Sequence, residues 1–367
     1  MLIPVYKPAL LGNEEKYVLD CLREGWVSSR GKYVTKFESS FSDFLKLPAA
    51  TSVSNGTVAL HLALYSLGIG FGDEVIVPSL TYIASVNAIA YVGATPVFVD
   101  SLRDTWNLDP EDVKRKITPK TKAVMAVHLY GNPCAIRELQ LLCSDNGLFL
   151  IEDAAEAFGS VYCGQSVGGF GDFSTFSFFG NKTITTGEGG MVSSKSAERV
   201  ERAAFLKNQG VSLTREYWHD EVGFNFRMTN ICAAIGLAQL ERAESILQKK
   251  KLINDWYRAR LEGVGLQFQY IEQEAISSYW MVTVLVASEE LRNNLRVYLD
   301  SKGIETRPMF IPAHQMPAFY CEASFLVAED LSVRGINLPS YPGLLETDVE
   351  VICEHIIYFI TNFSTKC

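Results

Sequence analysis

Between Thr51 and about Ser194, short apolar runs alternate with longer stretches in which apolar and polar residues mix. The runs cover residues 74–77, 96–99, 123–129, 148–151, 175–178 and 190–192. Runs of this length predict strands buried on both faces, and their alternation with helices predicts a mainly parallel sheet covered by helices. Right-handed crossovers then bring the ends of the parallel strands to one edge. Residues 228–261 contain no proline and a single interior glycine, Gly236, so one long or slightly broken helix is expected there. It leads into a C-terminal unit with a strand at 279–286, a helix at 289–302 ended by Gly303, and a final helix at 347–360. The expected division is a large domain over 1–240, including the N-terminal segment, and a smaller α/β domain over 241–367.

A chain of 367 residues is long enough for two or three domains and for burial of roughly three quarters of its unfolded surface. The net charge of −9 argues against a general nucleic-acid binder, which needs a basic face, but leaves local recognition of a nucleotide open. No run approaches the length of a membrane span, and the first residues lack the charged start and apolar stretch of a signal peptide. A cytoplasmic protein without membrane partners is expected. The eight cysteines show no C-x-x-C pair and the five histidines no metal-ligand spacing, so reduced thiols and no metal are expected.

Chemistry concentrates at the ends of the predicted strands. The strand at 148–151 runs into Glu152 and Asp153, and in open α/β sheets ligands gather at the carboxyl ends of strands. Ser54-Asn55-Gly56-Thr57 precedes an apolar run read as a helix (Val58, Leu60, Leu62, Leu64), which places backbone N–H groups and a hydroxyl where a phosphate can sit. Tyr82 follows the 74–77 strand and offers a ring to a flat cofactor. Lys182, between Ser177-Phe178-Phe179-Gly180-Asn181 and a Gly187-Glu188-Gly189-Gly190 turn, is an amine that burial would turn into a nucleophile. Phosphate seat, ring platform, carboxylate and amine together make a pyridoxal phosphate (PLP) site.

Four segments carry a family resemblance: Val53 to Leu62, Thr81 to Ala88, Ile151 to Ser160, and Ser174 to Gly190. Over essentially its whole length the chain resembles the PLP-dependent aminotransferases of nucleotide-linked keto sugars, and most of all the branch that works on GDP sugars. The resemblance implies an α/β protein of fold type I, with a mainly parallel seven-stranded sheet in the large domain. It implies pyridoxal 5'-phosphate as cofactor, passing through pyridoxamine 5'-phosphate as it carries nitrogen from L-glutamate to carbon 4 of GDP-4-keto-6-deoxymannose. It further implies a homodimer with shared active sites, or a higher oligomer, and a place in O-antigen assembly.

Residue by residue, the resemblance makes Lys182 the amine that bonds the cofactor and then shuttles a proton, and Asp153 the partner of the pyridine nitrogen that keeps the ring an electron sink. Gly56, Thr57 and Ser177 become phosphate ligands and Tyr82 the stacking ring. Glu156 takes the position that approaches the phenolic oxygen, where many relatives carry glutamine; a carboxylate there must be protonated or turned aside. Asn225 falls in the segment that reaches the partner subunit's phosphate site. Trp26, Ser28 and Arg30 match a sugar-facing loop, and Arg227, Arg307 and His314 complete the substrate-side candidates.

The competing readings fail on particulars. Gly180-Asn181-Lys182-Thr183 has one residue too many before the lysine for a P-loop, and Thr175 stands where its first glycine belongs. A PLP-dependent sugar dehydratase would carry histidine at the Lys182 position. A regulatory protein that kept only the fold would have no use for Asp153 and Lys182, and a dTDP- or UDP-linked 4-keto sugar remains the alternative substrate.

Overall fold

The computed structural model describes residues 2–363. Two helices open the chain, α1 (Glu14–Glu24) and α2 (Lys32–Leu45), and the latter buries Tyr33, Phe37, Phe41 and Leu45 at a spacing of four. Then come β1 (Ala49–Val53), α3 (Gly56–Ser66), β2 (Glu74–Pro78), α4 (Ala84–Tyr91), β3 (Thr95–Val99), α5 (Pro110–Arg115), β4 (Thr121–Val127), α6 (Ile136–Asp145) and β5 (Phe149–Asp153). After the short strands β6 (Val161–Tyr162) and β7 (Gln165–Ser166) follow β8 (Phe173–Ser177), β9 (Gly190–Ser194), α7 (Ala197–Lys207), α8 (Asn230–Leu240) and α9 (Ala243–Leu261). The C-terminal part contains β10 (Gln267–Phe268), β11 (Ala275–Ile276), β12 (Val282–Leu285), α10 (Glu289–Ser301), β13 (Arg307–Pro308), α11 (Leu326–Arg334), β14 (Gly335–Leu338) and α12 (Glu346–Phe363).

Seven strands form the main sheet in the order β1-β9-β8-β5-β4-β2-β3. From β3 to β8 all neighbours are parallel, while β9 is antiparallel to both β8 and β1. The alternation of strand and helix thus produced the expected parallel sheet, with one reversal. The connection from β8 to β9, residues 178–189, contains no helix, and the chain returns antiparallel beside the strand it has just left. Because β1 is antiparallel to β9, it runs in the same sense as β8, and Val53, Pro78, Val127, Asp153 and Ser177 all end at one edge. One face of the sheet packs Val75, Val77, Met125 and Ile151 against Trp280, Met281 and Met309 of the C-terminal part; the other packs Ile76, Val124 and Leu150 against Ile136 and Leu139 of α6.

The helix expected at 228–261 is broken into α8 and α9 at Glu241-Arg242. The N-terminal segment fastens onto that junction: Asn13 and Tyr17 donate to Glu241, and Arg242 Nη1 donates to Ala9 O at 3.0 Å. The strand expected at 279–286 shortens to β12, because Tyr279 takes a left-handed backbone (φ 49) that turns Trp280 out of the strand. β12 joins β10, β14 and β13 in a second sheet, whose core with α9, α10 and α12 includes Ile3, bridged to Ile304.

Among the described residues no helix is long and apolar enough to cross a membrane, and no group of three or more His, Cys, Asp or Glu could hold a metal ion. The seven described cysteines are free; Cys367 lies outside the described residues.

Candidate active site

The carboxyl edge of the sheet assembles the site. Successive residues of a strand face opposite sides, so Glu152 and Asp153, one residue apart at the end of β5, enter different surroundings. Glu152 is fully buried and accepts from Gly168 N, Phe170 N, Gly171 N, the Ser174 hydroxyl and His128 Nε2 at 2.7–3.2 Å. His128 Nδ1 accepts from Cys134 N at 3.0 Å, which assigns the ring proton to Nε2 as the donor to Glu152. Burial alone would raise the Glu152 carboxyl, but His128 and the backbone N–H groups hold it below the usual range. It anchors the loop before β8 to the strand that carries Asp153.

Asp153, 5% exposed, accepts from Ser85 Oγ on α4 at 2.7 Å through one oxygen and from Ala155 N at 3.1 Å through the other. A carboxylate offers about four acceptor positions, so room remains for one more charged donor. Ser85 is itself within 3.0 Å of Thr81 Oγ1, which ties Asp153 to the loop that carries Tyr82. Tyr82 is 58% exposed, with its ring centroid 5.7 Å from that of Phe310.

Lys182 lies in the reversing connection between β8 and β9, with its side chain 12% exposed. Its Nζ is 3.7 Å from Glu156 Oε1 and 3.9 Å from the centroid of the Trp280 ring. Burial lowers the pKa of the amine, with Glu156 and Asp153 opposing the shift. The main chain is fixed on both sides of that amine: Trp280 Nε1 donates to Asn181 O at 2.7 Å, and the Tyr6 hydroxyl donates to Lys182 O. Trp280 stacks on Tyr130 (6.0 Å, 12°) and Tyr130 on Phe310 (5.4 Å, 20°), forming an aromatic column behind the lysine.

Glu156 Oε2 accepts from Tyr130 N at 2.8 Å, a bond that the left-handed backbone of Tyr130 (φ 57) helps to aim. Burial pushes the Glu156 carboxyl up to about 7, Lys182 and the Tyr130 N–H oppose the rise and Asp153 adds to it. A glutamate of ordinary pKa 4.5 loses its proton on unfolding throughout the window between those two values. Stability therefore falls as pH rises through that window and levels off above about 7, by on the order of 3 kcal/mol. The cofactor-free Glu156→Gln protein should gain Tm over the original chain by an amount that grows from pH 4.5 to 7; a gain independent of pH would remove this reading of Glu156.

At the other end of the cleft, Asn55 caps α3 by accepting from Val58 N at 3.0 Å. The N–H groups of Gly56 and Thr57 then sit at the open helix end, where no intrahelical acceptor exists. A side chain on Gly56 would place its Cβ 2.8 Å from Ser177 Cβ, so only glycine lets α3 start directly against the end of β8. That close approach groups Gly56, Thr57 and Ser177 as donors for an anion. An anion seat, an acid with spare acceptor capacity, an exposed ring and a buried amine fit the demands of PLP: phosphate, pyridinium nitrogen, ring face and aldehyde.

The remaining sequence candidates make no hydrogen bond to Lys182, Asp153 or Glu156 among the described residues. Asn225 is exposed, and its Oδ1 accepts two bonds from Arg227, whose Nη1 also donates to Asn208 Oδ1 at 3.1 Å. This segment lies beside Ser54 of the same chain, whose N–H donates to Phe226 O. Trp26, Ser28 and Arg30 are exposed on the loop between α1 and α2, which Asn230 holds through Trp26 O, Ser28 O and Tyr33 N. Arg307 is exposed on β13 and paired with Glu305 at 3.2 Å. His314 is buried, with Nδ1 2.6 Å from Ser79 Oγ and Nε2 3.2 Å from Glu329, so both ring nitrogens are engaged within the protein. Ser85, Tyr130 and Trp280 were not singled out in the sequence, although each touches Asp153, Glu156 or Lys182.

Comparison with known proteins places these residues in context. Residues 9–357 match the model of the DegT/DnrJ/EryC1/StrS aminotransferase family. The chain is 54% identical to a GDP-perosamine synthase of Escherichia coli O157:H7, covering 98% of this chain and 99% of that one. It is 53% identical to a GDP-perosamine synthase of Vibrio cholerae, covering 97% and 98%. The Spr1654 protein of Streptococcus pneumoniae, solved in its PMP form, superposes with a TM-score of 0.96 at 30% identity over 100% of this chain and 99% of that one.

Proposed function

The chain belongs to the DegT/DnrJ/EryC1/StrS aminotransferase family, and on that premise we propose that it transfers the amino group of L-glutamate to carbon 4 of GDP-4-keto-6-deoxymannose, yielding GDP-perosamine and 2-oxoglutarate. Aminotransferases of this family are PLP-dependent, and PLP is the cofactor. The observation that carries the chemistry is the Lys182 amine, its pKa lowered by burial, set against Glu156 and Asp153. The GDP sugar rests on the near full-length likeness to the two GDP-perosamine synthases.

When bound, PLP supplies an aldehyde that joins amines and a ring that accepts the electrons released when a proton leaves the neighbouring carbon. In the proposed mechanism Gly56 N–H, Thr57 N–H and Ser177 Oγ hold the phosphate, with the positive end of α3 behind them. Tyr82 would lie along the ring face. Asp153 holds a proton on the pyridine nitrogen through its unfilled acceptor positions, and Ser85 fixes its orientation. Glu156, neutral below about 7, can donate to a phenolic oxygen instead of repelling it. Lys182 Nζ would move a proton between the amino-bearing carbon and the position next to it, and its lowered pKa leaves it able to accept one. The same amine would move the proton in the reverse direction when the keto sugar is the acceptor.

We take the working unit to be a homodimer in which Asn225 serves the opposite phosphate site, because in its own chain Asn225 is exposed and touched by Arg227 alone among the site candidates; sedimentation of a monomer at working concentrations would exclude this. The substrate is tested by assaying GDP-, dTDP- and UDP-linked 4-keto sugars with glutamate. The GDP sugar should lead in kcat/KM by at least about tenfold, since purine and pyrimidine edges present different hydrogen-bond patterns to one pocket. Equal turnover of a dTDP sugar would assign a sister activity without disturbing the role of Lys182.

A further inference from the structure

Lys250, on α9, is 1% exposed and has no carboxylate partner among the described residues. Its Nζ donates to Trp280 O at 2.7 Å and to Ser340 O at 2.5 Å, and lies 5.5 Å from the centroid of the Tyr6 ring. Burial lowers its pKa to about 7. An apolar side chain of similar length would fill the same volume without the cost of taking an amine out of water. What the side chain adds, most of all in its ammonium form, is N–H groups that reach separate parts of the chain: the turn before β12, the segment after β14 and, through the ring of Tyr6, the N-terminal segment. Ser340 N also donates to Val5 O, so the second and third of these are already joined.

Both routes out of Lys250 end at Lys182. Trp280, whose carbonyl Lys250 holds, lays its ring 3.9 Å from Lys182 Nζ and donates from Nε1 to Asn181 O. Tyr6, whose ring faces Lys250, donates its hydroxyl to Lys182 O. The geometry points to Lys250 as a positioning residue for Lys182, acting through Trp280 and Tyr6 to keep the amine packed against the indole and away from water. This inference rests on Lys182 being the working amine. Among the described residues Lys250 makes no hydrogen bond or ion pair with Lys182 or with the phosphate seat.

The test measures the reactivity of Lys182 directly. Full-length protein freed of cofactor is labelled at a series of pH values with limiting acetic anhydride, and acetylation of Lys182 is read by peptide mass spectrometry. In Lys250→Met the Lys182 labelling curve should move toward the range of an ordinary lysine, lowering its labelling near neutral pH by about tenfold. Trp280→Phe keeps Lys250 and its carbonyl bond but removes the Nε1 donor and part of the ring, and should move the curve in the same direction. A curve for Lys250→Met that superimposes on that of the original chain, whatever happens to Tm, overturns the proposal, because only a structural role is then left. A shift in Lys250→Met without one in Trp280→Phe also overturns it, since Lys250 would then act by charge alone. Should Lys250→Met not fold, an unmoved Lys182 curve in Trp280→Phe still overturns the proposal, because the route through the indole would then be idle. Borohydride fixing of cofactor to Lys182 in the original chain reports separately on the role of Lys182, so the two readings cannot fail together unnoticed.

Discussion

Lys182→Ala should leave a folded protein that still binds cofactor noncovalently but turns over more slowly by about four orders of magnitude or more, on the order of 5 kcal/mol of barrier. The expectation follows from position. Two other buried amines have lowered pKa values, but Lys207 is spent on Glu38 and the Ser52 carbonyl, and Lys250 on carbonyls. Among the three, Lys182 faces Glu156 and carries the influence of Asp153. Borohydride treatment followed by peptide mass spectrometry should fix cofactor to Lys182 in the original chain and to no residue of the variant. Normal turnover of Lys182→Ala with glutamate would refute the assignment.

Asp153→Asn is expected to lower kcat by about a hundredfold or more, roughly 3 kcal/mol, while cofactor loading changes far less. Asparagine nearly preserves the shape, and its carbonyl oxygen can still accept from Ala155 N. It removes the negative charge that would keep a pyridine nitrogen protonated, so the electron sink weakens while the seat survives. Loading is read from the visible absorbance of the purified variant, and kcat from amino transfer at saturating substrate. A variant within about twofold of the original in kcat would remove Asp153 from this role.

The strand runs at 74–77, 96–99, 148–151 and 175–178 were legible because strands buried on both faces read as continuous apolar segments, and each overlaps an observed parallel strand. Their ends were less so: the run at 123–129 continues past β4 because His128 and Leu129 are buried in the turn that follows it. Residues 56–66 form a helix although Val58, Leu60, Leu62 and Leu64 alternate as in a strand, since Ala59 and Ala63 are buried too and the helix is covered on more than one side. The N-terminal helices lie outside the strand–helix alternation, although Tyr33, Phe37, Phe41 and Leu45 repeat at helical spacing.

The site divided along another line. Lys182, Asp153 and Gly56 stand next to turns and strand ends, where local sequence marks them. Ser85, Tyr6 and Trp280 reach their partners across 68, 176 and 99 residues, and no local spacing records such distances. Trp280 in particular read as one more apolar residue of a strand; only the left-handed turn at Tyr279 releases it toward the lysine.

The two carboxylates at the end of β5 illustrate how a fold can separate selection for abundance from selection for turnover. Glu152 has spent its acceptors on five donors, and Asp153 has kept part of its capacity in reserve. In a mutational screen that scores cellular protein level and product formation side by side, codon 152 would depress both readings together. Codon 153 would depress the second alone, so two adjacent letters of the sequence answer to different evolutionary pressures.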